Sequence, residues 1–291
     1  MAPVSWLFAA QPRARVAALR TVAYLFVPVD VLLTTAWVAD HADVPGTLYQ
    51  PLYVGRLLDL PAPGPVSVRV AMVLLVVAAA VAATGRSPRL LGGAVAVLYA
   101  WWMVVAMSYG KVDHDRFAFL VLLAVLPTAG PARPGDRTAD EASGWVLRCV
   151  QLAVVATYLL AAVAKFRFGG LEWATGATLS RAILRRGSFL ADPLLDVPWL
   201  LVAMQWGIIA FELLSPLLLV GGRVTRWFVL FLFAFHLASF AGIGIIFLPH
   251  LVALLAFLPL ERVAPAVARA VRDRAGWANW SIRGIRLRSG S

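Results

Sequence analysis

Apolar residues run along this chain in long blocks separated by short polar breaks, and each block is about as long as a helix that crosses a bilayer. The first block is Val16–Val38, followed by a loop, Ala39–Pro65, rich in Pro, Asp and Tyr. Val66–Thr84 and Leu90–Ser108 are the second and third spans, joined by the turn Gly85–Arg89. The polar segment Tyr109–Arg116 stops the third sharply, and a short fourth span covers Phe117–Ala129. Gly130–Ser143 is the clearest linker, dense in Pro, Gly and charge. The fifth span is Gly144–Phe166 and the sixth Val197–Val220. Between them, Trp173–Arg186 mixes apolar residues and Arg too closely for a span and reads as an interfacial helix. Trp227–Leu260 is too long for one upright helix, and Gly242, Gly244 and Pro249 divide it into spans seven and eight. The expected fold is an all-α integral membrane bundle of about eight helices over residues 1–260, with one or two interfacial helices and a basic tail over 261–291. No internal repeat is evident.

Arginine placement orients the bundle. Arg13, Arg15 and Arg20 precede or open span one, Arg86 and Arg89 follow span two, and Arg223 and Arg226 follow span six. The tail carries Arg262, Arg269, Arg272, Arg274, Arg283, Arg286 and Arg288. Eight spans put all four groups on one side, which the positive-inside rule makes the cytoplasm, with both termini there. Arg181, Arg185 and Arg186 then fall outside, where an interfacial helix on lipid headgroups tolerates them. Val263, Val267 and Val271 form a stripe opposite arginines, followed by Trp277 and Trp280. The tail reads either as an amphipathic helix on the inner leaflet or as a solvated basic segment.

Composition narrows the class. Residues are 61% hydrophobic and only 14% charged, where a soluble domain carries about 25% charged. The net charge of +11 would suggest nucleic acid in a soluble chain; here it sits in loops and tail, facing anionic lipid, and nucleic acid is not expected as a partner. Cys149 is the only cysteine, so no disulfide or Cys-x-x-Cys pair forms within the chain. Met1–Arg15 has no hydrophobic run before its arginines, so no cleavable leader is expected.

Few residues carry candidate chemistry. Lys111 and Lys165 are the only lysines beside 24 arginines; a desolvated lysine can act as a neutral base, whereas arginine keeps its proton. Each also fits snorkelling at a helix end. His114 lies between Asp113 and Asp115, carboxylates that can fix its tautomer, although a solvated loop explains the segment equally. No metal is expected, because His-x-His and His-x-x-x-His spacings are absent. Glu212, Asp30, His236, Arg148 and Gln151 lie within spans. Intramembrane polar groups mark either function or buried partners. Arg148 sits near the inner end, and Pro28 already loosens the helix at Asp30. His250 after Pro249 and His41 in a loop receive no role. His114, Lys165, His236 and Glu212 could converge on one cavity opening outward.

Three segments then resemble a known family: Val146-Leu-Arg-x-x-Gln151, Tyr158-Leu-Leu-Ala-Ala-Val-Ala-Lys165 and Glu172-Trp-Ala-Thr-Gly176. They are similar to the membrane core of vitamin K-dependent γ-carboxylase and its bacterial relatives, the horizontally transferred transmembrane domain (HTTM) proteins. Lys165 matches that family's base lysine, His114 its histidine between spans, and Phe235-His236 with Ile243-Gly-Ile-Ile-Phe247 its late-span pattern. Arg20 and Asp30 suit its opening span, and Glu212 its acid before a leucine run. The resemblance covers about Arg20–Leu260. Ala164 replaces a second lysine, Asp113 stands where the family has Asn, and a basic tail of about thirty residues follows the bundle where the carboxylase has a large luminal domain.

The resemblance implies a quinol-using oxidoreductase in a bacterial plasma membrane. Its cofactor would be a reduced naphthoquinone, menaquinol or vitamin K hydroquinone. Lys165, His114 and His236 would be catalytic, and Glu212, Arg148, Asp30 and Trp173 would surround the cofactor. A second reading is a non-enzymatic accessory protein. The sporulation-delaying-protein B branch of the family assists maturation of an exported peptide with a soluble partner. A transporter is a weaker third reading, without an inverted repeat to support it.

Overall fold

The computed structural model describes residues 3–262, and it is almost wholly helical. The main helices are α1 (Arg13–Val29), α2 (Pro65–Ala83), α3 (Leu90–Ala106), α4 (Phe117–Val125), α5 (Glu141–Gly169), α6 (Thr178–Arg186), α7 (Pro198–Leu213), α8 (Gly222–Ile243) and α9 (Leu248–Leu254). The described strands are a two-residue pair, Gln11–Pro12 antiparallel to Ala139–Asp140, tying the start of α1 to the start of α5. The amphipathic reading of Val263, Val267 and Val271, and the tryptophans Trp277 and Trp280, lie outside the described residues.

Four segments are long and apolar enough to cross a membrane: Arg13–Thr34, Pro65–Ala83, Glu141–Gly169 and Gly222–Ile243. Leu90–Ala106, Pro198–Leu213 and Leu248–Phe257 are apolar but shorter. The outward faces say what surrounds them. Helix α2 buries Val68, Leu75, Ala79 and Ala82, a narrow stripe at helical spacing, and exposes Val66, Val70, Val73, Leu74 and Val77. Helix α8 buries Thr225, Val229, Leu232 and His236 and exposes Leu230, Phe231, Leu237 and Phe240. Such continuous apolar surface is tolerated beside lipid, not water. This is an all-α membrane protein.

Most predicted blocks form helices, with differences at polar or proline positions. Span one stops being α-helical at Val29 and continues as a π turn, Asp30–Thr34, then a 3-10 segment, Ala36–Asp43. Pro28 supplies no amide hydrogen, and Thr35 N–H and Oγ1 both donate to the Asp30 carbonyl, at 2.7 and 2.8 Å. Span six ends as an α-helix at Leu213, before Pro216 in the 3-10 turn Ser215–Leu219. The interfacial segment is two short helices, Glu172–Thr175 and α6. Helix α6 buries Ile183 and exposes Arg181, Arg185 and Arg186. The last block breaks where expected: Gly244, at φ +65°, ends α8 in the left-handed region glycine tolerates.

Helix α5 is the spine, packing on α4, α7, α9 and α1, while α1, α2 and α3 form a layer beside it. The core is filled by Trp102, Tyr24, Tyr99, Phe119 and Leu19. Described arginines of these clusters gather at one end. Arg20 donates to the Gly130 carbonyl at 2.9 Å, Arg15 pairs with Glu261 at 2.8 Å, and Arg86 shares a recess with Arg20 and Arg133.

At that end α5 meets the N-terminal segment closely. A Cβ at Gly144 would overlap the Ala9 carbonyl oxygen and lie 3.0 Å from its carbon, both backbone atoms that cannot rotate away. Gly144→Ala is expected to destabilise by about 1–3 kcal/mol. Gly93→Ala, whose Cβ meets nothing within 4 Å, is expected to be neutral or stabilising. Thermal melts of both variants in detergent check this.

Candidate functional site: a cavity with a buried lysine pair

The last residues of α5, the second half of α8, α7, α9 and α6 enclose a cavity of about 600 Å³. Its walls are mainly apolar, with Ile208, Met204, Ile243 and Phe247 among them. Three of the chain's four histidines and one of its two lysines line it: His114, His236, His250 and Lys165.

Helical spacing brings α5's contribution together. Thr157, Tyr158, Ala161 and Lys165 occupy one face over two turns. The Lys165 side chain turns back along the helix, and Nζ donates to Glu212 Oε1 at 2.6 Å. Both side chains are largely buried, at 17% and 8% exposure. The Trp173 ring lies with its centroid 5.1 Å from Nζ, a cation–π contact that partly replaces lost hydration. Two turns deeper, Tyr158 Oη and His236 Nε2 share a hydrogen bond of 2.9 Å. The His250 ring meets Tyr158 edge-on at 4.7 Å and lies 5.8 Å from His236.

This cavity concentrates unpartnered polar atoms. Glu212 Oε2, His236 Nδ1 and both ring nitrogens of His250 are buried without a hydrogen-bond partner. Buried polar groups are normally paired, so four such atoms around one cavity mark a place where a polar ligand group can bind. Among the described residues, no three His, Cys, Asp or Glu side chains are grouped to hold a metal ion.

The roof is pinned by Gln205, which is fully buried. Its amide donates to the Ala174 and Gly176 carbonyls at 2.8 and 3.0 Å and accepts from Leu179 N–H at 2.8 Å. Ser188 ties the other edge to α8, donating from N and Oγ to the Gly242 and Ala241 carbonyls. The non-helical backbone between α8 and α9 lines the cavity through Ile245 and Phe247, the setting in which such backbone is tolerated within a bilayer. A side groove shares His114, Lys165 and Trp173 with the cavity and runs between Phe117, Leu160 and Phe168. Leu160 and Phe168 are exposed and apolar, so the groove faces lipid.

At the mouth, His114 is an exposed residue whose side chain lines both the cavity and the side groove. Partial desolvation of its ring, then the positive charge of Lys165, lowers its pKa, and Asp113 opposes them; the imidazole is neutral at pH 7. Burial pushes the Asp115 carboxyl up to about 6, with Arg116 pulling the other way and Asp113 and Asp30 adding to the rise. The folded protein therefore holds this proton more tightly than the unfolded chain, and ionising Asp115 costs stability as pH rises. Asp115→Asn is expected to melt like the parent near pH 4 and increasingly above it as pH rises from about 4 through about 6, the difference then levelling off. A variant advantage that instead shrinks with rising pH would reverse the sign.

The convergence of His114, Lys165, His236 and Glu212 is observed, with Trp173 beside them. Two expected site residues lie elsewhere. Asp30 is fully buried between helices, accepting from Arg116 at 2.6 Å and Tyr99 Oη at 2.8 Å. Arg148 lies at the opposite end of α5, seventeen residues and about 25 Å before Lys165. It donates to Gln151 and stacks on Trp6. Neither can touch a ligand in the cavity. Three lining residues were missed: His250, placed at the surface by its proline but only 2% exposed, Tyr158 and Asp115. Tyr158 was legible, seven residues before Lys165 on the same face. No family model matches the chain, and no curated protein or solved structure matches it.

Proposed function

We infer that this protein is a quinol-using membrane oxidoreductase of the HTTM and vitamin K-dependent γ-carboxylase type, with about eight spans in a bacterial plasma membrane. The observation that carries the reading is the Lys165–Glu212 pair in an apolar cavity where Glu212 Oε2, His236 Nδ1 and both His250 ring nitrogens lack partners. The volume suits a small cofactor. A reduced naphthoquinone fits: its ring matches the apolar walls, its hydroxyls match Glu212 Oε2, His236 and His250, and its isoprenoid tail matches the lipid-facing groove. When bound, such a group supplies electrons for reaction with oxygen.

The chain's own part is to bind, orient and move protons. Passage of one proton across the 2.6 Å from Lys165 Nζ to Glu212 Oε1 converts the ion pair to a neutral amine and a neutral acid. A neutral pair suits a low-dielectric wall, and the amine is then a base toward a hydroxyl in the cavity. Trp173 and the roof exclude water. His114 is a neutral acceptor at the mouth, from which a proton can reach the outside.

Detergent-purified protein is expected to bind a reduced naphthoquinone with micromolar affinity under anaerobic conditions, and His250→Phe to weaken it. No saturable binding to the parent would overturn the reading. Orientation has its own check. Cytoplasmic termini make a cytoplasm-active reporter fused after Ser291 functional, and a reporter active there only when exported would refute this.

A second reading is the accessory protein for an exported peptide. It is favoured by the exposed Leu184, Phe189 and Leu190 of the roof beside Arg181, Arg185 and Arg186. A neighbouring gene for a small secreted peptide, whose maturation survives Lys165→Arg, would favour it over the enzyme.

A further inference from the structure

We propose that a recess at the arginine-rich end of the bundle binds the phosphate headgroup of an acidic phospholipid. The recess has a volume of about 390 Å³ and lies between the starts of α5 and α8 and the end of the described chain. Arg15, Arg148, Arg226 and Arg262 line it, with Gln151 and Thr225. No Asp or Glu is among its lining residues.

The charge around it is not balanced. Among the described residues Glu261 is the only carboxylate paired with any of the four arginines, and it is taken by Arg15 in a two-pronged bond, Nε to Oε2 and Nη2 to Oε1, each 2.8 Å. Arg148 is held in place by Gln151 at 2.8 Å and by Trp6, 4.4 Å below its guanidinium, yet its Nε is buried without a partner. Among the described residues Arg226 reaches only the Gly222 carbonyl, at 3.3 Å, and the Arg262 guanidinium makes no side-chain hydrogen bond or close ion pair, its charge acting on Glu261. Two guanidiniums, those of Arg148 and Arg226, therefore face the recess without a carboxylate partner among the described residues, and Arg262 adds a third positive charge. Like charges at such range repel, and forked donors match phosphate oxygens geometrically.

The sequence that follows is itself strongly basic. Residues 263–291 hold six arginines and one acid, Asp273. A phospholipid suits the surroundings better than a soluble phosphate. Leu218, Leu219 and Phe257 form one wall of the recess, and Leu217, Val220, Val224 and Trp227 continue outward as exposed apolar surface, a track for acyl chains. The proposal is independent of the quinol reading, since this recess and the cavity lie at opposite ends of α5.

The test is native mass spectrometry of the full chain in detergent, with phosphatidylglycerol or phosphatidylcholine added at equal concentration. Phosphatidylglycerol is expected to remain bound and phosphatidylcholine to dissociate. Arg148→Gln and Arg226→Gln are each expected to lower phosphatidylglycerol retention about fivefold, the equivalent of about 1 kcal/mol per arginine near a membrane surface. Arg226 is exposed, so its variant keeps the fold even if Arg148→Gln does not. Arg86→Gln, at the same end but outside the recess, is the control for general charge. Equal retention of the two lipids would overturn the proposal, as would an equal loss in Arg86→Gln. Thermal stabilisation by millimolar inorganic phosphate without phosphatidylglycerol binding would also overturn it, assigning the recess to a soluble ligand.

Discussion

Lys165→Arg is expected to keep the protein folded and abolish any quinol-dependent turnover, while Lys165→Ala is expected to cost about 3–5 kcal/mol of stability. The two substitutions separate charge from proton transfer. Arginine preserves a cation against Glu212 but never releases its proton under these conditions. The proposed transfer to Glu212 Oε1 stops, and with it a contribution that general-base catalysis sets at about 10²–10⁴-fold. Alanine removes the cation. Glu212 Oε2 already lacks a partner, so both carboxylate oxygens would then be buried and unpaired. Replacing both members together, Lys165→Met with Glu212→Leu, is expected to recover most of the stability and none of the activity, because an apolar pair needs no counter-charge. Membrane abundance, melting temperature in detergent and turnover, measured on the same preparations, decide it. A fully active Lys165→Arg would end the base role, leaving Lys165 as half of a structural pair.

Asp30→Ala is expected to destabilise by a similar amount, about 3–5 kcal/mol, with no direct effect on ligand binding. Asp30 is 0% exposed and Arg116 nearly so, and their 2.6 Å contact joins α1 to the segment before α4. Tyr99 of α3 donates to the same carboxylate oxygen, and Thr34 donates to the other. Removing the carboxylate strands the Arg116 guanidinium in the core and frees the hydroxyls of Tyr99 and Thr34. Asp30→Asn keeps the shape and some hydrogen bonding but leaves Arg116 unneutralised, so an intermediate loss is expected. Because Arg116 adjoins Asp115 and His114 at the cavity mouth, the loss would reach the site indirectly. Naphthoquinol affinity in the surviving folded fraction should stay within about twofold, since no atom of Asp30 lines the cavity. A larger fall in affinity at unchanged melting temperature would restore Asp30 to the site.

The apolar blocks and the all-helical class were legible in the sequence because they depend on local quantities. Hydropathy adds along the chain, and a backbone in lipid satisfies its hydrogen bonds within its own helix. Gly244 and Pro249 broke the last block as their backbone chemistry requires. Lys165 stood out as one of two lysines, and His114, His236 and Glu212 stood out as polar groups in or beside apolar runs. What the sequence could not decide was which of these polar groups were partners. Lys165 and Glu212 are 47 residues apart, and Asp30 and Arg116 are 86 apart. Both pairs are carboxylates against cations in apolar surroundings, equivalent by composition. Only the packing of α5 against α7 turned one pair into a cavity wall, and only the π turn after Pro28 aimed Asp30 into the core. His250 shows the same limit: its proline suggested a surface turn, but the fold of α9 against α4 and α5 buried its ring. Burial and pairing arise between helices, from their relative rotation and depth, and one helix's sequence does not contain those quantities.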